Sequence, residues 1–182
     1  MEEETAHNVR VEHVMESAIR TARDPSVSVL DLEFEGAWRK DGSEPQFGGV
    51  VVFPRGRTLL EADLPSLLGG AGRAPSPLSL FFFGAMASYC STFATQAALG
   101  GLSISDLHVQ LWVSVDFAWA LGQGTRAPLS ALVIDLEVDT DASELEMQRV
   151  KRLTDERCPA IWAMGHPVPH RTVARARRSR TS

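Results

Sequence analysis

Between Arg73 and Asp106 nothing in the chain ionises near neutrality except the Cys90 thiol and the Tyr89 phenol. An uncharged run of that length has to leave water over much of its surface, against either protein or lipid. Its first part, Ser76 to Phe93, opens with Ser76 as a helix N-cap and Pro77 as first helical residue, where a missing N–H costs nothing. Gly84, Ala87, Ser88, Ser91, Ala94, Thr95 and Ala98 recur at three-and-four spacing and give one face made only of small side chains. The large residues Phe82, Met86, Tyr89 and Phe93 lie elsewhere. This pattern predicts a central, largely buried helix whose small face is pressed against a second helix. The run exceeds the ~20 residues a bilayer requires. Its six hydroxyl and amide side chains, from Ser79 to Gln96, and the lack of a close basic flank favour a protein interior instead.

The segments on either side alternate between two periods. His7 to Arg23 places Val11, Val14, Met15, Ala18, Ile19 and Ala22 at helical spacing, ending before Asp24-Pro25. From Val27 to Trp38 the period drops to two, with Leu30, Leu32 and Phe34 against Asp31, Glu33 and Glu35, which predicts a half-buried strand. Asp41-Gly42 signals a hairpin into Phe47–Phe53, and Pro54 to Arg57 turns the chain into a third strand over 58–62. A Gly- and Pro-rich loop over 64–75 leads to the central helix, which Gly100-Gly101 stops. Strands follow over 107–117 and 129–138. Ser143 with Glu146 forms a capping box for a helix running to Arg157, and a short helix over 160–164 follows Cys158-Pro159.

With 182 residues the chain has room for one domain with extra segments. The reading is a helical extension over 1–26, the main domain over 27–166, and a disordered basic tail over 167–182. That tail holds five arginines and no acid, so the overall charge of −5 leaves the body near −10. Such a body is a poor nucleic-acid surface. Glu2, Glu3 and Glu4 are unlike a secretory leader, and two cysteines fit a reducing compartment. The expected location is cytoplasmic, with no membrane partner.

The order of elements now has a counterpart. A hairpin sheet, the loop Gly69-Gly70-Ala71-Gly72-Arg73-Ala74-Pro75-Ser76-Pro77, a buried helix ending near Gly101-Leu102, strands, and a charged helix ending in Glu156-Arg157-Cys158-Pro159 together resemble the OsmC/Ohr family (osmotically inducible protein C and organic hydroperoxide resistance protein) over about residues 28 to 165. The resemblance implies an α+β fold with antiparallel sheets around a buried central helix, assembled as an intertwined homodimer without metal or organic cofactor. It also implies reduction of organic hydroperoxides by a reactive cysteine on the central helix and a resolving cysteine in the Cys-Pro segment. An arginine and a glutamate assist, and a thiol reductant restores the pair.

Carried over position by position, the match is partial. Counted forward from Pro77 or back from Gly101-Leu102, the reactive-cysteine position falls on Ser88. Cys90 lies two residues on, about 200° around the helix. Leu78 and Ser79 occupy the place of the assisting acid, and Arg39, Arg55, Arg57 and Arg73 are equivalent candidates for the arginine. Cys158 matches; at a helix N-terminus its thiolate gains from unpaired N–H groups, while the plainer role is a small apolar residue at a helix junction. Ser88 needs a base beside it to be a nucleophile, and otherwise serves close helix contact.

Two functional readings follow. In one, hydroperoxide reduction is altered or relocated to Cys90 and Cys158, whose Cα atoms must then lie within ~7 Å. In the other, the chain is a non-catalytic dimeric module that binds a small hydrophobic ligand in an interface pocket lined by Phe, Met and Trp, with no thiol pointing in. Weaker signals attach to solvated or flexible segments. Asp135, Glu137, Asp139, Asp141 and Glu146 hint at a calcium loop but lack its central glycine, and His166 and His170 sit among prolines. Trp38, Trp112, Trp119 and Trp162 are candidates for lining an apolar cleft.

Overall fold

The computed structural model describes residues 5–176. Four helices, α1 (Val11–Arg23), α2 (Pro77–Leu99), α3 (Glu144–Arg157) and α4 (Pro159–Gly165), alternate with five strands. Strands β1 (Glu35–Trp38), β2 (Phe47–Phe53) and β3 (Gly56–Ala62) form one antiparallel sheet, and β4 (Asp106–Val115) pairs with β5 (Leu129–Asp139) in a second. The class is α+β, as the sequence predicts.

The hairpins follow from their turn residues. Asp41 Oδ1 accepts from the amide and hydroxyl of Ser43, which closes the turn that pairs Trp38 with Phe47. Phe53 pairs with Gly56, so Pro54-Arg55 is a two-residue connection. In the second sheet Leu107 faces Val138 and Leu111 faces Ile134, with a register shift between Trp112 and Ser114. Along β4 every second residue is half-buried, which puts Leu107, Val109, Leu111, Val113 and Val115 on one face.

The core sits where α2, α3 and the β4–β5 sheet meet. Phe93 (2 % exposed), Ala97 and Val150 are its centre, and Leu102, Ile104, Leu107, Leu136, Val138 and Met147 close around them. Ser143 accepts from the Glu146 amide and receives its carboxylate in return, so α3 starts with the capping box read from the sequence.

Two expectations are corrected. The strand expected from Val27 shrinks to Glu35–Trp38, preceded by a helical turn at Pro25–Ser28. Leu30 (79 % exposed), Leu32 and Phe34 find no partner strand within the protomer, and alternation becomes a strand only beside a neighbour that takes its hydrogen bonds. The small-residue face of α2 packs only in part: Ser88 meets Cys158 and Ala98 is buried. Phe82, Ala85, Tyr89, Phe93, Gln96, Ala97 and Ala98 are buried, while Gly84, Ala87 and Ser91 are exposed. Large side chains fill the space toward α3 and the sheet, because they remove more apolar area from water there. The helix is therefore buried along one side of the protomer only. By length and composition it is apolar enough to cross a membrane.

Candidate functional site

The entry to α2 is set by two side chains that hold the Gly-rich loop. Asp63, almost fully buried, accepts from the Arg73 amide at 2.9 Å, and its own amide donates to the Pro75 carbonyl. Gln46 accepts from the Leu64 amide and donates to the Gly69 carbonyl. Gly69 has φ +83°, and a Cβ on Gly70 would sit 1.8 Å from the Leu64 carbonyl oxygen, so the loop closes only with glycine. Backbone amides, that of Arg73 foremost, hold the Asp63 carboxyl below the usual carboxylate range. The chain then enters the helix with Ser76 Oγ accepting from the Ser79 amide, as the N-cap pattern predicts.

At the middle of α2, Ser88 Oγ lies 3.5 Å from the sulfur of Cys158. Cys158 is 0 % exposed and sits at the junction where α3 ends and α4 begins. Its amide donates to Thr154 and its carbonyl accepts from Trp162, while its side chain caps neither helix. The sulfur is thus turned toward α2, and Ser88 meets it. The contact is held by bonds on either side: Tyr89 Oη donates to Asp155 at 2.7 Å, and Arg157 donates to Gln96 Oε1 at 2.7 Å. Burial first, then the Asp155 hydrogen bond, pushes the Tyr89 phenol up from its ordinary value, so it stays a donor. Lys151, one turn before Asp155, takes the other carboxylate oxygen. None of these bonds was legible in the sequence, although i,i+4 Lys-Asp spacing signals the last.

Cys90 is not part of this cluster. Both cysteines are free thiols, and α2 is continuous through position 90. The helical repeat therefore turns Cys90 about 200° away from the side on which Ser88 meets Cys158. Burial raises the Cys90 thiol above its ordinary pKa, which depletes the thiolate.

An apolar groove of about 460 Å³ runs between the first turns of α2 and strand β4. Leu78, Phe82, Met86, Val113 and Phe117 are among its walls, and no thiol lines it. Phe and Met line it but the tryptophans do not, and its walls come from one protomer rather than from an interface. Trp38, Trp112, Trp119 and Trp162 are all exposed in the protomer. Their size made them candidates, but Trp38 and Trp112 on strands, Trp119 in a helical turn and Trp162 on α4 all lie outside the groove.

The remaining candidates fall as follows. Arg39 bonds Glu61 and approaches Glu44 at 3.6 Å, while Arg73 contributes its backbone amide to Asp63. Asp135, Glu137 and Asp139 occupy the exposed face of β5, opposite half-buried Ile134, Leu136 and Val138. His166 stacks on Trp162, with ring centroids 4.6 Å apart, and Nδ1 lies 2.8 Å from the Trp162 carbonyl. His170, Arg171 and Arg175 lie on exposed chain without helix or strand. Glu2, Glu3, Glu4 and Arg177, Arg178 and Arg180 fall outside the described residues.

Comparison with known proteins follows the same lines. The family model described as OsmC-like protein matches residues 70–173, more than half of the chain. No curated protein matches the sequence. Among solved structures, the fold is similar to an OsmC-like protein from Mycoplasma pneumoniae, at 16 % identity over 75 % of this chain and 88 % of that one, with a TM-score of 0.56. It is also similar to an organic hydroperoxide resistance protein OsmC from Legionella pneumophila, at 20 % identity over 75 % and 91 %, with a TM-score of 0.51. An OsmC-like protein of unknown function from Vibrio cholerae matches at 12 % identity over 74 % and 94 %, with a TM-score of 0.53. At such identities the likeness is one of fold.

Proposed function

Because the chain belongs to the OsmC-like family yet holds a hydroxyl where the resemblance puts the attacking sulfur, we propose that it is a dimeric module binding a small hydrophobic molecule, without a two-cysteine peroxide cycle. The observation that carries this reading is the 3.5 Å approach of Ser88 Oγ to Cys158 Sγ. A hydroperoxide is reduced when a thiolate takes its terminal oxygen as sulfenic acid, and a second thiol then closes a disulfide and releases water. Serine has no sulfur oxidation states and no base beside it here, so it performs neither step. Cys158 keeps the resolving place but has no thiol to resolve. Cys90 has a depleted thiolate and faces another side of α2. What remains is the groove of about 460 Å³, within the size range of small-molecule sites.

The dimer accounts for apolar surface that a lone protomer leaves in water. Phe81 and Phe83 (65 % exposed) on α2, and Val52, Phe53 and Leu59 on the first sheet, are large apolar side chains that a partner copy would cover.

The test is a thiol count before and after one equivalent of cumene hydroperoxide. Both thiols are expected to survive. Loss of two thiols, with a mass change of two protons only, would assign turnover to Cys90 and Cys158 and overturn the proposal. In parallel, the neutral probe N-phenyl-1-naphthylamine should gain fluorescence with the native chain. It should lose most of that gain with Val113→Asp, which places a charge in the groove wall.

A further inference from the structure

A second cleft, of about 300 Å³, lies where the C-terminal end of α2 meets α3, away from the groove. Leu99, Leu102, Val150 and Leu153 give it apolar walls, and Arg149, Arg152 and Arg157 line it as well. Three guanidinium groups beside an apolar floor would be ordinary if carboxylates answered them. They do not. Among the described residues neither Arg149 nor Arg152 has a hydrogen-bond or ion-pair partner. Arg157 is held by Gln96, a buried but neutral acceptor that fixes the guanidinium and leaves its charge uncompensated. Glu146 is the one acid on the lining, and one of its oxygens is taken by the Ser143 amide and hydroxyl. Glu156, one turn beyond Arg152, neither lines the cleft nor forms an ion pair.

The plainest use of such cations is to face the negative end of a helix. Here three of the last four carbonyls of α2 are already occupied: Gln96 accepts from the Gly100 amide, Ala97 from those of Gly100 and Leu102, and Ala98 from that of Gly101. A surplus of positive charge therefore borders a concave apolar floor. Planar guanidinium groups donate in pairs to oxyanions, and leucine walls suit a hydrocarbon body.

We propose that this cleft binds an organic oxyanion, with a carboxylate or phosphate head on Arg149, Arg152 and Arg157 and an apolar body against Leu99, Leu102 and Leu153. The site is separate from the groove and stands whether or not the groove binds a ligand.

The experiment is a titration of the full-length protein at low salt, followed residue by residue through amide NMR shifts. Octanoate, octyl phosphate, inorganic phosphate and octanol are the probes. Octanoate and octyl phosphate should move the amides of residues 96–102 and 146–157, and raised salt should weaken both. The double variant R149Q/R152Q should weaken them at least about tenfold, or about 1.4 kcal/mol. Both arginines are exposed, so the variant keeps the fold, and an unchanged spectrum without ligand checks that. Weaker binding of inorganic phosphate than of octyl phosphate supports the apolar floor, and equal binding refutes that part. Octanol binding there as well as octanoate, shifts confined to residues 78–86 and 111–117, or an unaffected double variant each overturn the proposal. A failure of the groove would show instead in the naphthylamine assay, which uses a neutral probe.

Discussion

If the missing sulfur is all that separates this site from a thiol pair, Ser88→Cys should restore one. The hydroxyl it replaces already lies 3.5 Å from the Cys158 sulfur, so closing to a disulfide of about 2.0 Å asks for roughly 1.5 Å of movement. Rotation of χ1 on α2 and a small shift of the α3–α4 junction supply a displacement of that order. The new bond would close a loop spanning 70 positions. The chain-entropy relation gives about 4 kcal/mol of stabilisation for such a loop, relative to the reduced variant and before any strain. For a chain of this size that corresponds to a melting temperature roughly 10 °C higher. One equivalent of cumene hydroperoxide should consume two thiols, leave Cys90 titratable, and give a peptide pair joining positions 88 and 158 in a non-reducing digest. Calorimetry with and without reductant then reads the stabilisation. The reasoning is refuted if Cys158 stays titratable while the introduced thiol oxidises to sulfinic acid, or if the new disulfide joins position 88 to Cys90.

Three further outcomes follow from the packing. Phe93→Ala should cost about 3–5 kcal/mol in denaturant unfolding, since the ring is 2 % exposed and centres the core; a loss below about 1 kcal/mol would contradict that placement. Cys90 should react with iodoacetamide more slowly than free cysteine at the same pH, its rate rising only above the ordinary thiol range, because burial favours the protonated form; a rate equal to that of free cysteine would refute this. Asp63→Asn should destabilise the chain more near neutrality than in strong acid. The carboxyl is held below its unfolded value, so its contribution is present above about pH 3.9 and is lost as pH falls through the lower folded value. A gap between variant and native chain that does not change with pH would sink that account.

Much was legible from local pattern alone. The N-cap at Ser76, the start of α2 at Pro77, the hairpin at Asp41-Gly42, the capping box at Ser143 and the alternation along β4 each rest on chemistry within a few residues of chain. For that reason they survive unchanged in the fold. Family membership was readable for a related reason. It depends on the order of such elements and on glycines that the loop from Gly69 requires sterically. The helical repeat by itself separated Ser88 from Cys90.

What the sequence left open is which surfaces meet. The seam of small residues on α2 was expected to be the packed face, yet Phe82, Tyr89 and Phe93 do the inward packing as well, and Gly84, Ala87 and Ser91 of the seam stay outside while Ser88 meets Cys158 and Ala98 is buried. Periodicity locates a face but not its partner, and partners here come from segments about 60 to 70 positions away, as in Tyr89 with Asp155, Gln96 with Arg157 and Ser88 with Cys158. The same limit applied to residues 29–34, whose alternation names a strand but cannot supply the neighbour that would pair with it. Short-range geometry is written into adjacent residues. Which hydroxyl faces which sulfur, and which arginines go without a carboxylate, is decided only when distant segments are folded together.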